Sequence, residues 1–182
     1  MADYTLVGFS GSLRAESFNT KLVREAARIF DPAEFHLGDV NWPLYDADLE
    51  DRGIPAEITA LGDRIAAADA VVIGNPEYNK GVTGTMKNTL DWLSRLKPNP
   101  MVDKPVAIVS ASTGRNGAEI SHYMLRHLLV PHRARVVTGN NVLLGNAGEH
   151  FDENDRLKTE SYVEFLEKLM QGLKDEIARG QA

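Results

Sequence analysis

The chain has 182 residues, a formal net charge of −6 and no cysteine, and 43% of its residues are hydrophobic. This length and composition predict one ordinary globular domain with a substantial core. The excess of acidic residues excludes a general electrostatic attraction to nucleic acid or anionic membranes, and the lack of cysteine excludes disulfides, thiolate nucleophiles and cysteine-ligated metal.

Signals for targeting or membrane insertion are also missing from the sequence. The first residues, Met-Ala-Asp-Tyr, show no basic region followed by an apolar run, and no apolar stretch is long enough to span a bilayer. We therefore expect a cytoplasmic protein that binds neither nucleic acid nor a membrane.

Apolar runs of strand length alternate with segments of helical period along the whole chain. The predicted strands cover residues 4–9, 34–40, 70–74, 105–111 and 134–137. The predicted helices cover residues 19–30, 55–68, 83–96, 118–129 and 162–177, each with an apolar face. The runs at 70–74 and 105–111 are continuously apolar, which is typical of central parallel strands buried on both faces.

A strand followed by a helix, repeated five times, predicts parallel pairing with right-handed crossovers and helices on both faces of the sheet. The predicted fold class is therefore α/β: one three-layer, doubly wound domain over residues 1–182 with a five-stranded parallel sheet. The chain length favours the flavodoxin-like strand order 2-1-3-4-5 over the longer six-stranded dinucleotide fold. In either fold a ligand lies at the carboxyl ends of the strands, so the loops after strands one, three and four are expected to carry the chemistry.

The loop after the first strand is rich in hydroxyl groups, carries one guanidinium group and leads directly into a helix. Its polar residues are Ser10, Ser12, Arg14, Ser17 and Asn19. A phosphate at this point would meet backbone N–H groups and the positive end of the helix dipole. Because a terminal phosphate group has nearly two charges and three acceptor oxygens, these converging donors favour a monophosphate.

Motifs for other ligands are incomplete in this loop. The pattern G-x-G-x-x-G is absent because Gly8 and Gly11 are its only glycines, no acidic residue ends the second strand about twenty residues later, and the Walker sequence is missing. Ser12 replaces the last glycine of the hydrolase motif G-x-S-x-G, which disfavours a serine hydrolase. One alternative stays open: Ser17 or Asn19 caps the helix, and the other serines are solvated.

The loops after strands three and four are small, polar and rich in glycine. The first, residues 75–84, adds an aromatic ring and amide groups, and the second covers residues 110–117. A flat heteroaromatic ring would find stacking area and backbone donors there. Taken singly, either loop is equally compatible with an ordinary strand-to-helix turn.

Two long motifs, GSLRAESFN at 11–19 and PEYNKGVTGTMKNTLDWLSR at 76–95, resemble those of the NADPH-dependent FMN reductase family, which includes quinone, chromate and azo-dye reductases. The resemblance extends to residues 43–50 and 151–157 and so covers nearly the whole chain. It departs from the family at Thr83, where proline is frequent, and at residues 116–117, where a Gly-Gly pair is frequent.

The resemblance implies a bound FMN, with NADPH or NADH as the electron donor. Carried over by motif position, the residues that would hold the FMN phosphate are Ser10, Ser12, Arg14, Ser17 and Asn19. Those that would line the isoalloxazine ring are Pro76, Glu77, Tyr78 and Asn79. Those that would approach the other side of the ring are Ser112, Thr113 and Gly114. No catalytic side chain is expected, because the cofactor carries the chemistry.

The implied function is an FMN-dependent NAD(P)H oxidoreductase that passes electrons to a small acceptor such as a quinone, an azo compound, chromate or free flavin. Alternatives are a flavodoxin-type electron carrier that does not oxidise NAD(P)H, a reductase that releases reduced FMN, and an inactive binding protein. A homodimer or homotetramer is implied, with Met86, Leu90 and Trp92 either in the core or at its interface. No metal site is expected, since His122 and His127 do not share a helix face.

Overall fold

The elements of secondary structure alternate along the chain as the sequence predicts. The computed structural model describes residues 3–181. Its strands are β1 (Thr5–Ser10), β2 (Glu34–Leu37), β3 (Ala70–Gly74), β4 (Glu77–Tyr78), β5 (Gly81–Val82), β6 (Pro105–Ala111), β7 (Arg135–Val136) and β8 (Val142–Leu144). Its α-helices are α1 (Phe18–Phe30), α2 (Ala47–Glu50), α3 (Ala56–Ala67), α4 (Gly84–Arg95), α5 (Glu119–Leu129) and α6 (Glu160–Gln181).

The main sheet is parallel and has the order β2-β1-β3-β6, with β7 and β8 both pairing with the far side of β6. This arrangement confirms the predicted flavodoxin-like order. The predicted fifth strand at 134–137 covers only the first of two short strands at this edge of the sheet. β7 pairs with the start of β6, and β8 pairs with the end of β6. Gly139, whose φ of 107° is outside the strand region, interrupts the pairing between them.

Two apolar cores lie on opposite faces of this sheet. Along β1, Leu6 belongs to the core beneath α1 and α6, whereas Val7 belongs to the core beneath α3, α4 and α5. This alternation follows from the two-residue period of a strand and completes the three layers. Met86, Leu90 and Trp92 of α4 are buried, so the structure assigns them to the core rather than to an exposed interface.

Short elements escaped the prediction because they contain too few residues to show a period. They are the four-residue α2 and the two-stranded antiparallel ribbon of β4 and β5. The ribbon follows β3 immediately and therefore belongs to one of the three loops that the sequence singles out.

Within residues 3–181, no helix combines the length and the apolar character needed to cross a membrane.

Helix α1 lies unusually close to the sheet at its N-terminal end. A Cβ atom on Gly74, the last residue of β3, would lie only 2.8 Å from the Asn19 carbonyl oxygen. A Cβ atom on Gly8 of β1 would lie 2.5 Å from the Val23 side chain. These two glycines therefore let the first turns of α1 rest directly on β1 and β3, near the ends of both strands.

The segment between β8 and α6 folds back onto α1. The Phe151 ring stacks on the Phe18 ring, with centroids 6.0 Å apart and 13° between the planes. Further along α1, the Glu25 carboxylate accepts hydrogen bonds from the Arg156 guanidinium (2.9 Å) and from the Leu157 N–H (3.1 Å). The segment thereby supports the helix whose N-terminus faces the strand ends.

Glu25 is a buried carboxylate, with a side chain only 2% exposed. Burial alone would raise its pKa, but hydrogen bonds from Arg28, Arg156 and the Leu157 N–H outweigh that effect, so the pKa of Glu25 lies below its ordinary value. A carboxylate with a lowered pKa stabilises the fold above its unfolded pKa, and this contribution is lost as the pH falls through the folded value.

We predict that Glu25→Gln lowers the free energy of unfolding at pH 7 by about 1–3 kcal/mol, because a neutral amide is a weaker acceptor for two guanidinium groups and one N–H. Urea denaturation followed by circular dichroism measures this loss. The difference from wild type should shrink as the pH falls below about 4.3, the ordinary pKa of Glu, toward the lower pKa of the folded carboxylate.

The matched control is Glu164→Gln, which changes an exposed carboxylate on α6 that pairs only with Lys168 at 3.8 Å. Its free energy of unfolding should stay within about 0.5 kcal/mol of wild type. Equal losses in the two variants would contradict the role given to Glu25.

Candidate functional site

A cavity of about 100 Å³ lies where β1, β3 and β6 end, and we call it the three-loop cavity. Its lining residues are Ser12, Arg14, Ser17, Phe18, Asn19, Pro76, Glu77, Tyr78, Ala111, Ser112 and Thr113. The structure therefore brings together all of the predicted cofactor-binding residues except Ser10, Asn79 and Gly114. The three contributing loops are far apart in sequence and meet because parallel strands end at one edge of a sheet.

One end of the cavity is formed by the start of α1. Ser17 caps this helix, because its Oγ accepts the Thr20 N–H at 3.2 Å. Among the described residues, the N–H groups of Phe18 and Asn19 have no acceptor, so they are available to an anion, and the guanidinium of Arg14 is exposed beside them. This donor set fits a phosphate group.

Residues 10–17, which we call the serine turn, are held in shape by their own hydroxyl groups. The Ser10 Oγ accepts the Ser12 N–H at 3.3 Å, and the Ser12 Oγ accepts the Arg14 N–H at 3.4 Å. The serines thus have a local structural role in addition to any ligand contact, as the capping alternative anticipates for Ser17.

Asn19 joins α1 to the end of β6. Its Nδ2 donates to the Ala111 carbonyl and its Oδ1 accepts the Ala111 N–H, both at 2.9 Å. This pairing engages the side-chain oxygen and one of the two Nδ2 hydrogens, so only the second hydrogen is left for a ligand. A phosphate contact from Asn19 therefore stays a prediction that involves this single hydrogen or the backbone N–H.

The opposite wall is formed by residues 75–78, and α5 fixes their position. The Ser121 hydroxyl donates to the Pro76 carbonyl at 2.8 Å and accepts from the Asn75 side-chain amide at 2.9 Å. The Glu77 carboxylate accepts the Ser121 N–H at 3.0 Å, so it points to α5. Ser121 was missed at the sequence level because one serine in an amphipathic helix gives no signal.

Tyr78 and Asn79 begin the tip of the ribbon. Tyr78 is exposed and lies at the rim of the cavity. Asn79 and Lys80 have φ values of 51° and 64°, which identifies them as the turn residues between β4 and β5. Asn79 does not line the cavity. Its contact with an isoalloxazine ring stays a prediction.

The loop after β6 is tied to β8 and the residues that follow it. The Ser112 N–H donates to the Leu144 carbonyl, and the Asn146 N–H donates to the Gly114 carbonyl, both at 3.0 Å. Gly114 lines a second cavity of about 440 Å³ that also contacts Glu77, Ser112 and Thr113. The two cavities therefore share a wall and together offer more room than the three-loop cavity alone.

A third cavity, of about 360 Å³, lies between the serine turn and the end of β2. Ser10, Ser12 and Arg14 line it together with Asp39, whose carboxylate accepts the Asn41 N–H at 2.9 Å. An acidic residue thus does follow the second strand, although further along the chain than the twenty-residue spacing considered in the sequence. Ser10 lies in this cavity and not in the three-loop cavity.

A buried polar chain extends from β6 through α5. The Ser110 hydroxyl lies 3.0 Å from the His122 Nδ1, and the His122 Nε2 lies 3.3 Å from the Asn141 Oδ1. Because an amide oxygen only accepts, the Nε2 must carry the hydrogen and the Nδ1 must accept the Ser110 hydroxyl. Burial first, and the nearby Arg126 charge second, lower the pKa of His122 to about 4. His122 is thus a buried structural residue.

Within residues 3–181, no group of three or more His, Asp or Glu side chains is arranged to hold a metal ion.

We predict that neutral His122 makes the protein less stable in mild acid. A group whose pKa falls on folding binds protons more readily in the unfolded chain, so stability declines as the pH drops from about 6.5 toward 4. Between pH 7 and 5.5 the wild type should lose about 1 kcal/mol more unfolding free energy than His122→Gln. Urea titrations at both pH values measure the difference, and the exposed His127→Gln serves as control and should behave like wild type.

Comparison with known proteins gives matches over most of the chain. The profile of the NADPH-dependent FMN reductase family matches residues 4–149. The NAD(P)H-dependent FMN reductase of Pseudomonas aeruginosa is 35% identical over 173 residues, which is 94% of each chain. The quinone reductase of Escherichia coli is 43% identical over 130 residues, which is 69% of each chain.

Solved structures agree with these sequence matches. FerB, a flavoenzyme NAD(P)H:(acceptor) oxidoreductase from Paracoccus denitrificans, superposes with a TM-score of 0.87 at 28% identity and covers 97% of this chain and 98% of its own. A protein of Agrobacterium tumefaciens described as a flavodoxin, WrbA-like protein, at 15% identity and a TM-score of 0.62, shares the fold over 99% of each chain. The chain belongs to the NADPH-dependent FMN reductase family.

Proposed function

We propose that this protein is an FMN-dependent NAD(P)H oxidoreductase that passes electrons to a small acceptor such as a quinone. The observation that carries the proposal is the three-loop cavity, which has anion donors at one end and a loop with an exposed tyrosine at the other. Membership of the FMN reductase family supports the proposal, and so do the names of the relatives, which include both FMN reductases and quinone reductases.

In the proposed complex, the start of α1 holds the phosphate of FMN. The unpaired N–H groups of Phe18 and Asn19 and the guanidinium of Arg14 supply donors and positive charge. Ser12 and Ser17 add hydroxyl groups at the same end, and Ser10 supports the turn behind them. Glu77 is the acidic residue that lines the cavity within residues 3–181, and its carboxylate accepts the Ser121 N–H at the opposite wall.

The isoalloxazine ring would extend over residues 76–78 toward the second cavity, where Ser112, Thr113 and Gly114 form the far wall. A bound FMN would supply the redox chemistry that links the nicotinamide to the acceptor. The protein contributes orientation and hydrogen bonds: Ser121 holds the Pro76 carbonyl, and the Glu77 carboxylate is held by α5, which fixes the backbone beneath the ring. Tyr78 at the rim, with Asn79 beyond it, would limit access to the ring.

The direct test is to purify the protein, identify any released flavin, and follow NADPH and NADH oxidation with a quinone, an azo dye, chromate and free FMN. The proposal expects a yellow protein and steady nicotinamide oxidation with at least one acceptor. A protein that retains FMN without oxidising either nicotinamide would be an electron carrier instead. A folded protein that stays colourless in saturating FMN would contradict both functions.

We predict that Arg14→Ala weakens FMN binding by about tenfold or more, because it removes a charge-assisted hydrogen bond to the phosphate. Isothermal titration of the flavin-free protein with FMN measures the dissociation constant. The matched control is Arg24→Ala, which removes an exposed arginine from α1 away from the cavity. An equal effect of the two substitutions would show general electrostatics rather than a specific contact.

We also propose a homodimer, alone or within a tetramer, that forms through the outer face of α5. Ile120, Tyr123 and Met124 are exposed on this face at helical spacing. Tyr78 of the adjoining ribbon is exposed as well, so the apolar patch is continuous with the rim of the three-loop cavity. A second copy of the chain is the proposed occupant, since a twofold dimer brings the same apolar patch of both copies together and buries it.

We predict that Ile120→Glu shifts the protein to the monomer, because a charged side chain opposes burial of the patch. Light scattering after size-exclusion chromatography measures the mass. The matched control is Phe165→Glu, which introduces the same charge at an exposed apolar position on α6. A wild-type protein that is already monomeric, or equal dissociation by both variants, would contradict this interface.

Two further assignments complete the proposal. Residues 1–182 are proposed to form one domain, because α6 packs with α1 and β6 in one of the two cores that share the main sheet. A cytoplasmic location is also proposed, and fractionation of cells with an antibody to the protein tests it.

A further inference from the structure

Gly11, at the base of the serine turn, is held through both of its backbone polar groups. The Gly11 N–H donates to the Gly74 carbonyl at 2.9 Å, which joins the turn to the end of β3. The Gly11 carbonyl accepts a hydrogen bond from the Thr83 hydroxyl at 2.7 Å. This carbonyl belongs to the same peptide group as the Ser12 N–H, and Ser12 is the first residue of the turn to line the three-loop cavity. Movement of the Gly11 carbonyl therefore moves the cavity wall.

Thr83 is buried, being 2% exposed, and it does not line the cavity itself. It is the N-cap of α4, where its Oγ1 accepts the Met86 N–H at 3.2 Å while it donates to Gly11. The Thr83 hydroxyl thus donates to the serine turn and accepts from α4, so it links these two parts of the structure. Thr83 also follows the ribbon directly, so it connects the segment beside the proposed ring with the turn beside the proposed phosphate.

The packing around this hydrogen bond leaves little freedom. A Cβ atom on Gly11 would lie 2.9 Å from the Thr83 Oγ1 and 3.0 Å from the Met86 side chain. Loss of the hydroxyl would leave the Gly11 carbonyl buried without its donor, and the turn would have to move to find another partner. The contact therefore specifies where the turn lies relative to α4.

We infer that Thr83 is a positioning residue whose hydroxyl fixes the serine turn against the start of α4 and thereby sets the affinity for the phosphate of FMN. This inference rests on the proposed function and adds to it a residue outside the cavity. If Thr83 served only as a helix cap, its removal would lower stability and would affect every flavin equally. If it positions the turn, its removal weakens the grip on the phosphate specifically.

The experiment compares FMN with riboflavin, which has the same ring system but no phosphate. Flavin-free protein is titrated with each, and quenching of flavin fluorescence gives the two dissociation constants. In the wild type, FMN should bind more tightly than riboflavin. Thr83→Val, which keeps the shape and loses the hydroxyl, should reduce this preference about tenfold by weakening FMN binding alone. Thr83→Ser, which keeps the hydroxyl, should retain the preference within about twofold.

Thr89→Val is the matched control on the same helix. Thr89 is buried, and its hydroxyl donates only to the Thr85 carbonyl at 2.8 Å, so it has no bond to the serine turn. This variant should keep the wild-type preference for FMN even if its melting temperature falls. An unchanged preference in Thr83→Val, or equal changes in both valine variants, would overturn the inference.

Two further results separate the possible failures. Circular dichroism checks that Thr83→Val is folded, and if it is not, Thr83→Ala is judged by the same criterion. A wild-type protein that binds riboflavin as tightly as FMN would refute the proposed contact between the FMN phosphate and the start of α1, and with it the proposed cofactor site. A wild-type preference that survives in the hydroxyl-free variants would refute only the role of Thr83.

Discussion

The close approach of α1 to the sheet is the constraint on which the rest of the site depends. Gly74 has no side chain at the point where the Asn19 carbonyl crosses β3, and the Asn19 amide pairs with the backbone of Ala111 at the end of β6. Together these contacts hold the N-terminus of α1 over the ends of two central strands. The helix dipole and the unpaired N–H groups therefore face the cavity rather than solvent.

The loops of the site gain their order from residues that do not line the cavity. Thr83 holds the serine turn through Gly11, Ser121 holds the segment after β3 through Pro76, and the Leu144 carbonyl accepts the N–H of Ser112 in the loop after β6. Each bond joins a loop to a different element of the scaffold. These bonds give the loops the support from surrounding residues that a well-defined site needs.

The sequence predicted the architecture because its central strands are continuously apolar: residues 70–74 and 105–111 form β3 and β6 within the predicted limits. Prediction failed where local pattern is weak, as at Gly139, which divides the last strand. The loop motifs identified the cavity, but the engagement of Asn19 with Ala111 and the role of Ser121 depend on contacts between residues more than 40 positions apart. No local period or propensity encodes such contacts.

An acidic protein can bind a dianion when local dipoles and charges oppose its net charge. Glu16 lies within the serine turn, yet Lys21 pairs with it at 2.7 Å and also with Asp155 at 2.6 Å. The hydrogen bonds from Lys21 to Asp155 and Glu16 raise the pKa of that lysine above its ordinary value of 10.5, at which it is already charged at neutral pH. Lys21 offsets part of the negative charge of these two carboxylates, and Glu16 does not line the three-loop cavity, whereas Arg14 and the start of α1 do. The formal charge of −6 therefore bears on solubility, and the proposed binding of a phosphate group depends on the local geometry of one turn.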